Sequence, residues 1–126
     1  MPRYVLLEHL SAPDDPAGRH WDLLLEAGEA CRTWRLARVP KPGGDPVPAA
    51  EIAPHRLAWL DHEAGEVSGG RGFARRVDGG SYEALRESDL ADPDRVVVRV
   101  QGESLAGQLE LVREGEAWTA RLTLTR

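Results

Sequence analysis

Two histidines and an aspartate near the start of the chain have the types and spacing of a metal site. His20 and Asp22 are two residues apart, so in a β-strand both side chains point to the same face. His9 closes an apolar stretch that begins at Tyr4, and a hairpin through the Pro-, Asp- and Gly-rich residues 11–18 places it beside His20. Two imidazoles and one carboxylate suit manganese, zinc or iron and leave positions open for water and substrate. A His-x-Asp pair on a strand is also common as a hydrogen-bonded surface pair, so spacing alone leaves both interpretations open.

A second candidate for chemistry is the glycine-rich turn 68–72, around which Arg71, Arg75 and Arg76 cluster. Arginine binds phosphate in a two-pronged manner, and glycine lets a backbone approach a ligand closely. We therefore predict that Arg71 binds a substrate phosphate. The alternative is an ordinary hairpin turn in a chain that uses arginine in place of lysine, since Lys41 is its only lysine.

The elements that must position these residues are short and mostly extended. With 126 residues, 41% of them hydrophobic, the chain can build one core but not two, so we predict a single domain over residues 1–126. Alternating stretches separated by turn residues predict a mainly β fold, a single small antiparallel β-barrel. The predicted strands are 4–9, 20–26, 31–37, 56–61, 72–77, 81–85, 96–101, 107–113 and 118–124. One or two short helices are expected, at 49–53 and before Pro93, and the proline-rich segment 39–48 is expected to be a loop.

Composition excludes several classes of protein. A net charge of −5 argues against a protein that coats nucleic acid through a broad basic surface. The lone Cys31 can form neither an internal disulfide nor a thiolate zinc site. No apolar run approaches the roughly 20 residues that cross a membrane, and the first residues lead into a strand and do not form a signal peptide. We therefore expect no membrane association and a cytoplasmic location.

Further motifs follow the metal-binding candidates in a fixed order. They are Thr33-Trp34 before the proline-rich loop, His55 with Trp59 four residues later, the turn 61–65 with Ala64 as an insertion, the turn 78–82, and the segment 102–113. Over nearly the whole chain this order resembles the 3′-phosphoesterase domain of bacterial DNA ligase D and its stand-alone relatives. The segment 102–113 follows that family's Gly-x-x-Leu-x-Gly-x-aromatic-x-Leu-Val-Arg pattern, with Leu109 in the aromatic position.

The resemblance implies a small β-barrel with a crescent-shaped groove. Such enzymes trim the 3′ ends of broken DNA, removing a 3′ phosphate or a terminal ribonucleotide in a manganese-dependent reaction. It implies that His9, His20 and Asp22 hold the metal and that His55 and Trp59 occupy the catalytic positions. Nucleic-acid 3′ ends are then the substrate, and a ligase or polymerase of non-homologous end joining is the implied protein partner.

Two departures from the family pattern concern residues of the catalytic site. Active members carry an arginine two residues after the metal-binding aspartate, where it clamps the phosphate, and this chain has Leu24 there. The family's tyrosine is replaced by Trp59, which keeps a ring and a donor but has no phenol. We hypothesise that Arg71 replaces the missing arginine. Two function classes stay open: a metal-dependent phosphoesterase, and a catalytically degenerate accessory module that binds metal or DNA ends.

Three more residues have open roles. His62 stands where relatives carry an aromatic residue, and we interpret it as structural. Glu8 and Glu26 either orient the metal-binding imidazoles or face solvent. A purely structural barrel with fortuitous histidines is the third interpretation, and it predicts no stabilisation by metal.

Overall fold

The computed structural model describes residues 1–85 and 89–124, which form nine strands and one short 3-10 helix. The elements are β1 (Arg3–Leu10), β2 (Arg19–Ala27), β3 (Ala30–Leu36), β4 (Val47–Arg56), the 3-10 helix (Leu57–Asp61), β5 (Ala64–Glu66), β6 (Phe73–Ala84), β7 (Arg95–Gly102), β8 (Ala106–Glu114) and β9 (Ala117–Thr123). In this part of the chain no helix has the length and apolar character needed to span a membrane.

Eight of the strands close into an antiparallel barrel in the order β1-β2-β3-β4-β9-β8-β7-β6, because β6 pairs back onto β1. β5 is an extra strand that pairs with the start of β6. The contact between β4 and β9 is short and involves only Val47–Ala49 against Trp118–Ala120. The rest of β4 pairs with β3 alone, and the chain then continues into the 3-10 helix, which lies against β1 and β2.

The alternation of side chains in β1 creates two separate apolar clusters. Tyr4 and Leu6 point into the barrel, where the main core includes Trp34 and Trp118 with their rings 5.6 Å apart. Val5 and Leu7 point outward and are covered by the 3-10 helix. With Leu24, Cys31 and Leu60 they form a second, smaller cluster, the outer cluster. His9 continues the outward row, so the candidate site lies on the outer face of the barrel wall.

The mainly β fold and the closed barrel are confirmed, but several element predictions are wrong. Of residues 56–61, predicted as a strand, Arg56 ends β4 and Leu57–Asp61 form the 3-10 helix. Residues 49–53, predicted as a helical turn, belong to β4. Alanine favours helices in isolation, yet pairing with β3 holds this segment extended. The short strand β5 has no counterpart among the predictions. The turn expected before Pro93 partly involves residues outside those described, and residues 89–94 contain turns and bends.

The predicted strands 72–77 and 81–85 form one continuous strand, β6. The Gly79-Gly80 pair was expected to make a turn but lies within that strand. A Cβ at Gly80 would collide with the backbone of Gln101 on β7, so the glycine allows two strands to approach closely.

Glu8, Arg19 and Arg75 form an ion-pair cluster that joins three neighbouring strands of the barrel. Glu8 is buried and binds two arginines: Arg19 Nε donates to Glu8 Oε2 at 2.8 Å, and Arg75 donates to Glu8 Oε1 at 3.0 Å. Burial by itself raises the pKa of Glu8, but the hydrogen bonds from the two arginines outweigh it and the net pKa is lowered. These contacts tie β1 to both of its neighbouring strands.

We expect Glu8→Gln to destabilise the protein by about 1 kcal/mol at neutral pH, since the arginines are half exposed and water screens part of the interaction. A carboxyl whose pKa is lowered by folding stabilises the protein above its unfolded pKa and loses that effect as pH falls through the folded pKa. Urea denaturation at a series of pH values should therefore show the difference between wild type and variant shrinking below pH 4. A difference that stays constant down to pH 2 would contradict this assignment.

Candidate metal centre

The antiparallel register of β1 and β2 brings the three predicted metal ligands together. His9 lies directly opposite His20, and their ring centroids are 4.8 Å apart. Asp22 Oδ2 lies 3.5 Å from His9 Nδ1, and Asp22 Oδ1 lies 3.2 Å from His20 Nε2. One ligand atom from each residue falls within 4.8 Å of the other two, so the group can hold a metal ion.

Each imidazole is held by its second nitrogen. His9 Nε2 donates to the main-chain carbonyl of Arg71 at 2.7 Å, and His20 Nδ1 donates to Asp15 Oδ2 at 2.8 Å. Because a carbonyl and a carboxylate accept hydrogen bonds, these two nitrogens carry the proton of the neutral rings. The opposite nitrogens, His9 Nδ1 and His20 Nε2, therefore present lone pairs toward Asp22. Partners of this kind fix the tautomer and ring orientation of metal-binding histidines.

Two atoms of this group are buried without a hydrogen-bond partner: His20 Nε2 and Asp22 Oδ1. Leaving a buried polar atom unpaired costs about 1–3 kcal/mol, and a cation between the two atoms would satisfy both. Burial lowers the pKa of His20, but the carboxylates of Asp22 and Asp15 raise it by more, so the net shift is upward. The surroundings of His20 thus favour positive charge.

His9 and Asp22 line an open groove of about 820 Å³ on the outer face of the barrel. Its lining combines ligand, basic and aromatic side chains with apolar ones, including Leu7, His9, Asp22, Arg35, His55, Arg56, Trp59, Arg71 and Ala74. The groove therefore contains His9, Asp22, His55, Trp59 and Arg71 of the predicted site. His20 is buried beneath its surface.

His55 and Trp59 come from neighbouring elements, the end of β4 and the 3-10 helix, and their ring centroids are 6.4 Å apart. His55 Nδ1 donates to the carbonyl of Ala53 at 3.0 Å, which leaves Nε2 as the nitrogen that can meet a substrate. The ring centroid of His62 lies 4.7 Å from that of Trp59, and His62 Nε2 donates to the carbonyl of Ala74 on β6 at 2.9 Å. His62 thus links the 3-10 helix region to the barrel wall.

The structure gives Arg71 a contact that the sequence did not suggest. Its carbonyl orients His9, while its guanidinium turns back to Ser68, with Nε donating to the Ser68 carbonyl at 2.6 Å and Nη2 to Ser68 Oγ at 3.0 Å. Ser68 thus holds the guanidinium of Arg71 within its own turn.

Two residues of the site were missed from the sequence. Asp15 holds His20 from the hairpin loop, whereas Glu8 binds Arg19 and Arg75 and not the metal-binding imidazoles. The other missed residue is Arg35, which lies beside Asp22 on the neighbouring strand. Asp15 could have been found from the sequence, because it is an acidic residue in the loop that joins the two strands carrying His9, His20 and Asp22. Arg35 can be recognised only when the register of β2 and β3 is known.

Comparison of the chain with models of known protein families and with curated protein sequences finds no match.

Proposed function

We propose that this protein is a metal-dependent phosphoesterase that acts on the 3′ ends of nucleic acid and removes a 3′ phosphate or a terminal ribonucleotide. The observation that carries the proposal is the orientation of His9 and His20, each fixed by a hydrogen bond so that its free nitrogen faces Asp22. The order of motifs adds support, because it resembles the DNA ligase D 3′-phosphoesterase family.

The His9, His20 and Asp22 donor set suits Mn²⁺, with Zn²⁺ and Fe²⁺ as competing ions. A divalent ion bound there supplies Lewis acidity to a phosphoryl oxygen and lowers the pKa of a bound water. The groove is lined by basic side chains that can bind the phosphate of such a substrate. This local positive charge contrasts with the net charge of −5 on the whole chain. The product, a 3′-hydroxyl end, is what a DNA polymerase or ligase requires, so an enzyme of that class is the partner we propose.

His55 has the geometry of a proton donor in this reaction. Hydrolysis of a 3′ phosphate breaks the bond between phosphorus and the 3′ oxygen, water supplies the new oxygen on phosphorus, and the departing 3′ oxygen takes up a proton. His55 Nε2, in the imidazolium form, can supply that proton while Nδ1 stays bonded to Ala53. Trp59 lies beside it and offers a flat ring on which a terminal base can stack.

We expect His55→Gln to lower turnover by about 10²-fold or more, because general acid catalysis contributes that order of magnitude. Metal binding should survive, since His55 is not among the residues that can hold the ion. The measurement is single-turnover cleavage of a 3′-phosphorylated oligonucleotide, alongside the melting temperature with and without Mn²⁺. His62→Gln is the matched control, because its glutamine can still donate to Ala74. Equal turnover in His55→Gln and wild type would remove His55 from the mechanism.

A second candidate function is a module that binds metal or DNA ends without turnover. Leu24 favours it, because this position carries the phosphate-clamping arginine in the active members of the family that the chain resembles, and here it is fully buried.

The experiment that tests the proposal uses a primer-template with a 3′ phosphate or one terminal ribonucleotide, Mn²⁺ titrated against an EDTA control, and His20→Ala alongside. Metal-dependent processing that is lost in His20→Ala supports the phosphoesterase. A Mn²⁺-dependent rise in melting temperature with no processing favours the binding module.

A further inference from the structure

Arg35 lies directly opposite Asp22, one strand away from the metal-binding residues. Directly paired Cα atoms of antiparallel strands are about 4.5–5.5 Å apart, whereas residues i and i+2 of one strand are about 6.6 Å apart. The backbone of Arg35 is therefore at least as close to Asp22 as that of Leu24. Position 35 on β3 can therefore place an arginine near His9, His20 and Asp22. The family resemblance would place that arginine on β2, at position 24.

The Arg35 side chain is poised for an anion. It lines the groove, and its Nε is buried without a hydrogen-bond partner. Its Nη2 lies 3.3 and 3.4 Å from the two carboxylate oxygens of Asp14, which are long distances for a charge-assisted hydrogen bond, normally about 2.7–2.9 Å. The Asp14 side chain is 73% exposed, so water screens its ion pair with Arg35 and a phosphate can displace so weak a partner.

By contrast, two nitrogens of the Arg71 guanidinium already have close partners in their own turn. Nε donates to the Ser68 carbonyl at 2.6 Å and Nη2 to Ser68 Oγ at 3.0 Å. The contact between Arg35 and Asp14 is longer, so a phosphate displaces a weaker partner at Arg35 than at Arg71.

We propose that Arg35 is the anion-binding residue of this groove and that its guanidinium takes two non-bridging oxygens of a phosphoryl group placed beside the metal-binding residues. The inference rests on the proposed phosphoesterase function and names the residue that positions its substrate. Arg35 supplies from β3 the two-pronged contact that Leu24 cannot supply from β2.

The test is equilibrium binding of two labelled oligodeoxynucleotides, one ending in a 3′ phosphate and the other in a 3′ hydroxyl, measured by fluorescence anisotropy in EDTA. Metal-free conditions separate binding from turnover. We expect wild type to prefer the 3′ phosphate by about tenfold, Arg35→Gln to lose the preference, and Arg35→Lys to keep part of it. Arg38→Gln, a change of the same kind outside the groove lining, is the matched control and should keep the full preference.

Asp14→Asn provides an independent test, because this variant should change the affinity for the 3′ phosphate only if Arg35 binds it. Removing the carboxylate frees the guanidinium, so the affinity for the 3′ phosphate should rise by about threefold, whereas Asp45→Asn, the same charge change on an exposed loop, should leave it unchanged. Melting curves of each variant establish that it is folded. The inference is overturned if Arg35→Gln retains the wild-type preference, if wild type shows none, or if Arg71→Gln abolishes it in place of Arg35→Gln.

Failure of this inference and failure of the proposed function give different results. An Arg35-dependent preference with no Mn²⁺-dependent processing leaves the anion site standing and rejects the catalysis. Processing by Arg35→Gln with the kcat and KM of wild type leaves the phosphoesterase standing and rejects the role of Arg35.

Discussion

Asp22→Asn is expected to abolish both the stabilisation by Mn²⁺ and any Mn²⁺-dependent turnover. Asp22 faces both imidazoles, with oxygens 3.5 Å from His9 Nδ1 and 3.2 Å from His20 Nε2. An amide at this position keeps the size of the side chain but loses the negative charge that a divalent ion needs. The loss should therefore be specific to the metal-bound state.

The expected size of the metal effect follows from linkage. A ligand at 100 times its dissociation constant stabilises the folded state by about 2.7 kcal/mol. At roughly 3 °C per kcal/mol for a domain of this size, the melting temperature of wild type should rise by roughly 8 °C. The measurement is differential scanning fluorimetry across a Mn²⁺ titration, with an EDTA control.

Asp45→Asn is the matched control, because Asp45 is exposed and outside the metal-binding group. It should melt like wild type at every Mn²⁺ concentration. If Asp22→Asn shows the same Mn²⁺-dependent rise as wild type, the three residues are not the metal site. If wild type shows no rise at all, the barrel carries its histidines for another reason.

Leu24→Arg has the largest expected effect on stability. This substitution restores the arginine of the family that the chain resembles, yet Leu24 is fully buried against Val5, Leu7, Cys31 and Leu60. A guanidinium buried among these apolar side chains loses its hydration, which costs about 3–5 kcal/mol. We therefore expect partial or complete unfolding at 37 °C and no gain in activity.

Chemical denaturation of Leu24→Arg beside Leu24→Met tests this expectation. Methionine conserves volume and polarity, so it should cost less than about 1.5 kcal/mol and keep the protein folded. A stable Leu24→Arg protein with higher turnover on 3′-phosphorylated DNA would show that the 3-10 helix moves aside to expose this position, and would contradict the assignment of Leu24 to the outer cluster.

The same outer cluster explains why Cys31 is unsuited to nucleophilic chemistry. Burial raises the pKa of its thiol to about 11, and the nearby Glu26 carboxylate adds to the shift. The thiolate, which is the reactive form, is therefore scarce at neutral pH. Leu24, Cys31 and the other apolar residues of the outer cluster anchor the 3-10 helix, which carries Trp59.

Local patterns in the sequence are enough to identify the barrel class and to bring His9, His20 and Asp22 together. Apolar residues that alternate with a period of two identify a strand without knowledge of its partners, and the same period places His20 and Asp22 on one face. A short hairpin allows few registers, so the sequence also places His9 beside His20, as the structure has it. These properties depend on residues that are close together in the chain.

Properties that depend on distant strands require knowledge of the tertiary structure. The Gly79-Gly80 pair has the composition of a turn, but the backbone of β7 keeps it within β6. Residues 56–61 alternate like a strand, but Leu57–Asp61 form a 3-10 helix whose apolar side chains cover the outer cluster. Arg35 is 13 positions from Asp22 in the chain and becomes its neighbour through the register of β2 and β3. Local patterns record which face a side chain occupies, whereas pairing across the barrel decides which side chains it meets.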